Sequence, residues 1–170
     1  MHLSEFSFST STMASPSAPK PASTGSADPP QGKETDSPGS ASYSASCHCG
    51  AICFTVTLTQ PLAQQQPISC NCTICSRNGY LLVYPLRSNL VITQGADVLK
   101  SYSFGRKRNL HQFCERCGSS VFFDPRMAEH GESPDLMGVN VRMFKDIKLD
   151  ELKLKHFDGL NIWPFIDSSA

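Results

Sequence analysis

The sequence predicts a mainly β domain of small antiparallel sheets, which bound zinc helps to hold together, preceded by a disordered N-terminal tail. Three observations predict it: the composition changes near residue 45, short runs of alternating apolar residues follow, and all 8 cysteines lie between Cys47 and Cys117. A chain of 170 residues suits one domain, or one domain and a tail. We therefore expect a disordered tail over 1–45 and a zinc-binding β domain over 46–170.

The predicted tail is rich in small and turn-forming residues. Over 1–45 there are 12 Ser, 4 Thr, 6 Pro and 3 Gly, and there is no cysteine. Such a segment cannot bury enough apolar surface to offset its ordering entropy, so we expect disorder. Its first residues lack both a secretory pattern and an arginine-rich transit pattern, which predicts a cytosolic protein.

Short strands are predicted after the tail. In 52–58 the side chains of Ile52, Phe54, Val56 and Leu58 share one face, which is the alternation typical of a strand with one buried side. Further strand-like runs are at 80–84, 90–93, 98–104, 120–123 and 136–141. A helical turn is suggested only at 145–154.

Charge and hydropathy exclude two classes of protein. Lys and Arg number 15 and Asp and Glu number 15, so the net charge is zero and no basic excess predicts a nucleic-acid partner. No apolar run approaches the roughly 20 residues that a membrane-spanning helix needs, so no membrane partner is expected. The oligomeric state is not predicted.

Seven cysteines form three local groups, and an eighth, Cys53, lies apart. A cytosolic protein disfavours disulfides, and these spacings leave too little chain for normal disulfide geometry, so metal binding is the better interpretation. Cys114 and Cys117 can join Cys47 and Cys49 to provide the four thiolates of a closed zinc site. The middle group provides three thiolates and leaves a position open, as in a catalytic zinc site. Cys53 could instead close the second site. The groups are Cys47 with Cys49, Cys70 with Cys72 and Cys75, and Cys114 with Cys117.

The pattern of these cysteines resembles a known family. Cys47-His-Cys-Gly50, Cys70-Asn-Cys-Thr-Ile-Cys75 and Phe113-Cys-Glu-Arg-Cys-Gly118, with the later Gly138-Val-Asn-Val-Arg142, are similar to the glutathione-dependent formaldehyde-activating enzyme family, whose domain centromere protein V shares. The resemblance covers about 46–159 and implies a tent-like β fold with two zinc ions. It implies that the closed site is structural and that Cys70, Cys72 and Cys75 hold a catalytic zinc.

The activity implied by the resemblance is that of a carbon–sulfur lyase. Glutathione, the co-substrate, would be joined to formaldehyde as S-hydroxymethylglutathione, and the step would also run in reverse. Two alternatives stay open: cleavage of larger glutathione conjugates in detoxification or secondary metabolism, and a non-catalytic zinc-containing interaction module like centromere protein V.

Contacts to the substrate are predicted less directly. Arg77, just after the middle cysteines, is a candidate anchor for a glutathione carboxylate, as is the basic run 106–108, although such runs are usually solvated turns. No general acid is evident from the spacing. His111 and Tyr80 are candidates, but a structural role is the better interpretation of each.

Overall fold

The computed structural model describes residues 39–162, and within them strands predominate, as predicted. The helices, α1 and α2, are short. The strands are β1 (Ala41–Ser46), β2 (Cys53–Leu58), β3 (Ile68–Cys70), β4 (Leu82–Val83), β5 (Leu90–Gln94), β6 (Leu99–Tyr102), β7 (Leu110–Cys114), β8 (Ser120–Asp124), β9 (Gly138–Asn140) and β10 (Lys155–Phe157), and the helices are α1 (Thr73–Asn78) and α2 (Gly159–Ile162).

The strands form two sheets. The first has the order β1-β2-β5, and the second has seven strands in the order β10-β3-β4-β9-β8-β7-β6. Neighbouring strands are antiparallel except β10 and β3, which are parallel. The second sheet is larger than the small sheets predicted, because β3 and β10, which were not predicted as strands, extend it beyond β4.

One hydrophobic core takes side chains from both sheets. Phe54, Val56 and Leu58 of β2 are each at most 2% exposed, which confirms the predicted buried face of this strand. The ring of Phe54 meets that of Phe122 of β8 edge-to-face, with centroids 4.8 Å apart. Because such a pair fixes two rings against one another, it joins the two sheets through their centres.

The folded region begins earlier than predicted. Residues 41–45, which we assigned to the disordered tail, belong to β1, which pairs along its full length with β2. Ala45 is 2% exposed, and the ring of Tyr43 stacks on Phe144 with centroids 5.1 Å apart. The serine-rich sequence of β1 is compatible with a strand at the edge of a sheet, because its partner strand supplies the apolar face. The rest of the predicted tail, 1–38, lies outside the described residues.

Other predicted elements differ mainly in length. The runs at 90–93, 98–104 and 120–123 are found as β5, β6 and β8, whereas those at 80–84 and 136–141 shrink to β4 and β9. The backbone N–H of Leu81 donates to the Asn140 side chain rather than to a neighbouring strand, which shortens β4. The helical turn suggested at 145–154 is a 3-10 turn at Leu149–Glu151. Within 39–162 no helix is both long and apolar enough to cross a membrane.

Candidate metal centres and the adjoining cleft

The first cysteine group, which we call the four-thiol group, consists of Cys47, Cys49, Cys114 and Cys117. Their Sγ atoms all lie within 4.8 Å of one another. Two tight turns bring them together: the Gly50 N–H donates to the Cys47 carbonyl at 3.0 Å, and the Gly118 N–H donates to the Cys114 carbonyl at 2.8 Å. Both glycines have a positive φ, near +73° and +72°, a conformation that a residue with a Cβ adopts only with strain.

The spacing of these sulfurs fits a zinc ion. A tetrahedral site with Zn–S bonds of about 2.3 Å has sulfurs about 3.8 Å apart. The Sγ of Cys49 is 3.6 Å from that of Cys47 and 3.8 Å from that of Cys114. The backbone N–H of Ile52 also donates to the Cys47 sulfur at 3.2 Å, which helps to fix the position of this sulfur. The donor set and its dimensions therefore suit a closed four-thiolate site.

The pKa values of two thiols in this group are shifted in opposite directions. A backbone hydrogen bond with Ala51 lowers the pKa of Cys49, but burial and the neighbouring thiols outweigh it and raise that pKa to about 11. The Cys117 Sγ lies 3.3 Å from the Ser119 hydroxyl. This hydrogen bond is the main cause that lowers the pKa of Cys117 to about 5. A lowered pKa suits a metal ligand, because a cysteine binds a metal as the thiolate.

The second group, which we call the three-thiol group, consists of Cys70, Cys72 and Cys75, whose Sγ atoms also lie within 4.8 Å of one another. Cys70 ends β3, Cys72 is the N-cap of α1, and Cys75 lies one turn into that helix. The backbone N–H of Cys72 donates to the Cys70 sulfur at 3.4 Å. Burial raises the pKa of both Cys70 and Cys75, and the neighbouring Cys72 thiol raises each of them further. Three thiolates so close together repel one another, so a cation between them is needed if all three are to ionise. Three sulfurs at this spacing suit zinc.

Cys53 does not close the three-thiol group. It lies on β2, and its thiol donates to the carbonyl of Gly50, in the turn that carries Cys47 and Cys49, at 3.4 Å. Among residues 39–162, the group of sulfurs around Cys75 that lie within 4.8 Å of one another consists of Cys70, Cys72 and Cys75. The geometry therefore does not support Cys53 as the fourth ligand of the three-thiol group.

A cleft of about 470 Å³ adjoins the three-thiol group. Cys70 and Cys75 form part of its wall, to which other residues of α1 and the segment around β10 also contribute. The other side chains that matter for its chemistry are Asn71, Tyr80, Arg142, His156 and Asp158. Polar side chains and two thiols thus line one cleft whose volume is within the range of small-molecule sites.

The structure does not bring Arg77 into this cleft. Arg77 is an exposed residue of the last turn of α1, and its Nη1 donates to the Thr73 carbonyl at 3.3 Å. The basic run 106–108 lies in a turn before β7, where Arg108 pairs with Glu132 at 2.5 Å. Arg142 lies at the cleft instead. A sequence signal for it existed in the segment 138–142, but nothing in that segment indicated which residues it would face.

The two candidate acids are adjacent but only one lines the cleft. Tyr80 is 3% exposed, and its hydroxyl donates to the Phe122 carbonyl at 3.3 Å. Burial raises the pKa of Tyr80 to about 12. His111 packs against Tyr80 with ring centroids 5.9 Å apart, outside the cleft. Burial lowers the pKa of His111 to about 4, so it is neutral at pH 7.

Two comparisons of the sequence with known proteins give the same family, and a third finds a similar solved structure. Residues 42–156 match the model of the family described as glutathione-dependent formaldehyde-activating enzyme. A Halomonas elongata protein named "Putative glutathione-dependent formaldehyde-activating enzyme" is 30% identical over 93 residues, which cover 49% of this chain and 57% of that protein. A crystal structure of a Rhodobacter sphaeroides protein is similar with a TM-score of 0.56 and 29% identity, covering 67% of this chain and 99% of that one.

Proposed function

The chain belongs to the glutathione-dependent formaldehyde-activating enzyme family, and on that premise we propose that it is a zinc-dependent carbon–sulfur lyase acting on glutathione adducts. Its reaction joins glutathione to formaldehyde as S-hydroxymethylglutathione, and also runs in reverse. The single observation that carries the proposal is the three-thiol group, whose Cys70 and Cys75 form the wall of a cleft large enough for a peptide ligand.

The two cysteine groups have different roles in this proposal. Cys47, Cys49, Cys114 and Cys117 hold a structural zinc, because four thiolates complete a tetrahedron. Cys70, Cys72 and Cys75 hold a second zinc and leave one position for the sulfur of glutathione. Two zinc ions for each chain follow, and the reaction belongs to the cytosol, where the thiols stay reduced.

The chemistry is the addition of a thiol to an aldehyde. Cys70, Cys72 and Cys75 would hold the zinc, which would supply Lewis-acid stabilisation of the glutathione thiolate at neutral pH, both as the nucleophile and as the leaving group of the reverse reaction. The C–S bond forms between that sulfur and the aldehyde carbon, and the proton released from the thiol is balanced by one taken up on the aldehyde oxygen. Tyr80 keeps its proton in a bond to the Phe122 carbonyl, so it shapes the cleft rather than transferring that proton.

A comparison of glutathione with S-methylglutathione tests this proposal. The two ligands share both carboxylates and all peptide groups, but a thioether is a poor ligand for zinc. In protein with cobalt replacing zinc, glutathione should perturb the sulfur-to-metal charge-transfer and d–d bands, and S-methylglutathione should not. Equal affinity with no spectral change would contradict an open metal position, and would favour a non-catalytic interaction module.

The volume of the cleft favours a second candidate substrate class. About 470 Å³ is within the range that holds drug-sized ligands, and formaldehyde adds only two heavy atoms to glutathione. Larger glutathione conjugates are therefore the alternative substrates. A panel of adducts of increasing size, with the release of free glutathione as the readout, separates the two: a formaldehyde lyase loses activity as the adduct grows, and a conjugate lyase does not.

A further inference from the structure

Arg142 places a cation at the cleft beside the three-thiol group. It lies in the turn after β9 and is exposed, and its Nε donates to the carbonyl of Gly79, the residue that ends α1, at 2.6 Å. One edge of the guanidinium is thus fixed against the helix that carries Cys75. Among residues 39–162, no carboxylate forms an ion pair with Arg142. Its Nη1 and Nη2 are therefore available for a bidentate contact with a ligand carboxylate.

A buried amide holds Arg142 in this position. Asn140 is 1% exposed, and its Oδ1 accepts hydrogen bonds from the backbone N–H groups of Leu81 and Arg142, both at 3.3 Å. Its Nδ2 donates to the Ser120 carbonyl at 2.8 Å. Because Leu81 also lines the cleft, this amide fixes the backbone of Arg142 relative to the cleft wall. Such preorganisation reduces the ordering cost of binding.

A carboxylate occupies the same cleft. Asp158 Oδ1 accepts from Asn71 Nδ2 at 2.8 Å, and Asp158 Oδ2 accepts from Asn161 Nδ2 at 2.7 Å. These neutral donors lower the pKa of Asp158, so it is anionic at pH 7. The cleft therefore contains a cation and an anion that are each held by neutral groups rather than by one another. Besides Arg142, Asp158, Tyr80 and the cysteines, the titratable side chain that lines the cleft is that of His156.

We propose that Arg142 binds the α-carboxylate of the γ-glutamyl residue of glutathione, with Asp158 facing the α-ammonium group of the same residue. The glycyl end of glutathione has a carboxylate but no ammonium group, so the γ-glutamyl end matches this pair of charges better. Arg142, Cys70 and Cys75 line the same cleft, so a ligand held by that end at Arg142 would have its cysteinyl sulfur in the space that the two thiols share. The inference rests on the proposed function, since it assigns a binding residue for the same substrate.

Calorimetric titration of the zinc-loaded full chain tests this assignment. The ligands are glutathione, its glycine ethyl ester, which keeps the γ-glutamyl zwitterion, and cysteinylglycine, which lacks it. Arg142→Met should weaken binding of glutathione and of the ester by about tenfold to a hundredfold, the usual effect of losing a charge-assisted pair, and should leave cysteinylglycine unchanged. N-acetylglutathione, which lacks the ammonium charge, should bind the wild-type protein less tightly than glutathione.

Two variants separate binding from folding. Arg77→Met removes a cation from the outer side of the same helix and should leave all affinities unchanged. Arg142→Gln keeps an N–H donor for the Gly79 carbonyl but not the charge, so it should melt like the wild-type protein and bind glutathione as weakly as Arg142→Met.

Each contrary result has its own meaning. If the wild-type protein binds glutathione and both Arg142 variants bind it equally well, this inference is overturned and the proposed function stands. If the Arg142 variants lose affinity for cysteinylglycine in equal measure, Arg142 contacts the glycyl end, which also overturns the inference. If the wild-type protein binds none of the ligands, both proposals fail together.

Discussion

The two cysteine groups use the same side chain on different kinds of backbone. The four-thiol group joins two turns from distant parts of the chain, since Cys49 and Cys114 are 65 positions apart. The three-thiol group comes from a single segment of six residues, where β3 ends and α1 begins. A metal bound to the first group closes a long loop, whereas a metal bound to the second closes only a local turn.

The two groups also differ in how deeply their cysteines are buried. Two of the four thiols in the first group, Cys47 and Cys114, are buried at 2% and 0% exposure and belong to the hydrophobic core, whereas Cys49 is exposed and Cys117 is partly exposed. The three cysteines of the second group are partly exposed, and two of them adjoin the cleft. Loop closure and burial contribute to stability, whereas exposure next to a cleft allows a ligand to approach. Under the proposed function, this difference assigns the four-thiol group to stabilising the fold and the three-thiol group to the reaction.

The largest expected effect separates these two roles directly. Cys117→Ser should prevent stable folding, because binding of a structural zinc is itself folding free energy, of order 10 kcal/mol. Cys72→Ser should leave a folded protein with one zinc and little or no lyase activity. Thermal unfolding followed by circular dichroism, together with metal quantification, measures both. Cys53→Ser is the control and should match the wild-type protein; similar behaviour of the Cys117 and Cys72 variants would refute the division of roles.

Removal of β1 is expected to have the next largest effect. A chain beginning at Cys47 loses the pairing of β1 with β2, the stacking of Tyr43 on Phe144 and the hydrogen bond from Leu62 N–H to the Tyr43 hydroxyl at 2.7 Å. We expect a loss of about 3 kcal/mol or more, typical of removing a packed aromatic side chain, and weaker metal retention at the four-thiol group. Urea denaturation checks this. A chain beginning at Gly39 is the control, and equal stability of the two would show that β1 is dispensable.

The sequence predicts most where a local rule governs the structure. Metal-ligand spacing depends on neighbouring residues, so Cys70, Cys72 and Cys75 were grouped correctly without the fold. The strand β2 was predicted because its burial is one-sided: Phe54 and Val56 are buried and Thr55 between them is exposed. These are properties of a few consecutive residues.

Elements that depend on distant partners were missed. The strand β1 has the composition of the tail before it, and its pairing with β2 is what makes it a strand. The helix α1 buries none of its residues among those described, so it shows no helical periodicity. Arg77 was predicted as the anchor because it is near the cysteines in sequence. The structure leaves Arg77 exposed on α1 and brings Arg142 to the cleft from the turn after β9.

His111 is a buried histidine that should make the stability of the protein depend on pH. It belongs to β7, which ends at Cys114, and it packs against Tyr80 at the cleft. Burial lowers its pKa from 6.5 to about 4, so the unfolded chain binds the proton more tightly. The contribution of the neutral imidazole to the free energy of unfolding is complete above pH 6.5. It is lost as the pH falls to 4, and this lowers the free energy of unfolding by about 3 kcal/mol.

The variant His111→Phe isolates this effect from acid loss of metal. Both proteins lose their thiolates to protonation as the pH falls, but only the wild-type protein must protonate a buried imidazole. Its Nδ1 is buried without a hydrogen-bond partner in the described part of the chain, so the exchange for phenylalanine removes no such bond at that atom. Urea denaturation at pH 7 and pH 5 should show a smaller decrease for His111→Phe. Equal decreases would contradict a buried neutral His111.

The smallest expected effect compares the middle residue of each Cys-x-Cys turn. Asn71 donates from Nδ2 to Asp158 at 2.8 Å, and its Oδ1 accepts from the Leu160 N–H at 2.9 Å, so it ties the three-thiol group to α2. The corresponding residue of the four-thiol group, His48, is exposed and contacts Ser119 only through its backbone N–H among the hydrogen bonds of residues 39–162. Asn71→Ala should therefore cost about 1 kcal/mol of stability, the usual net value of lost hydrogen bonds at a surface, whereas His48→Ala should cost nothing measurable. Because Asn71 also orients Asp158, its variant should bind glutathione a few-fold more weakly in calorimetry, and His48→Ala should not. Equal effects of the two substitutions would mean that the cleft does not depend on the segment that follows β10.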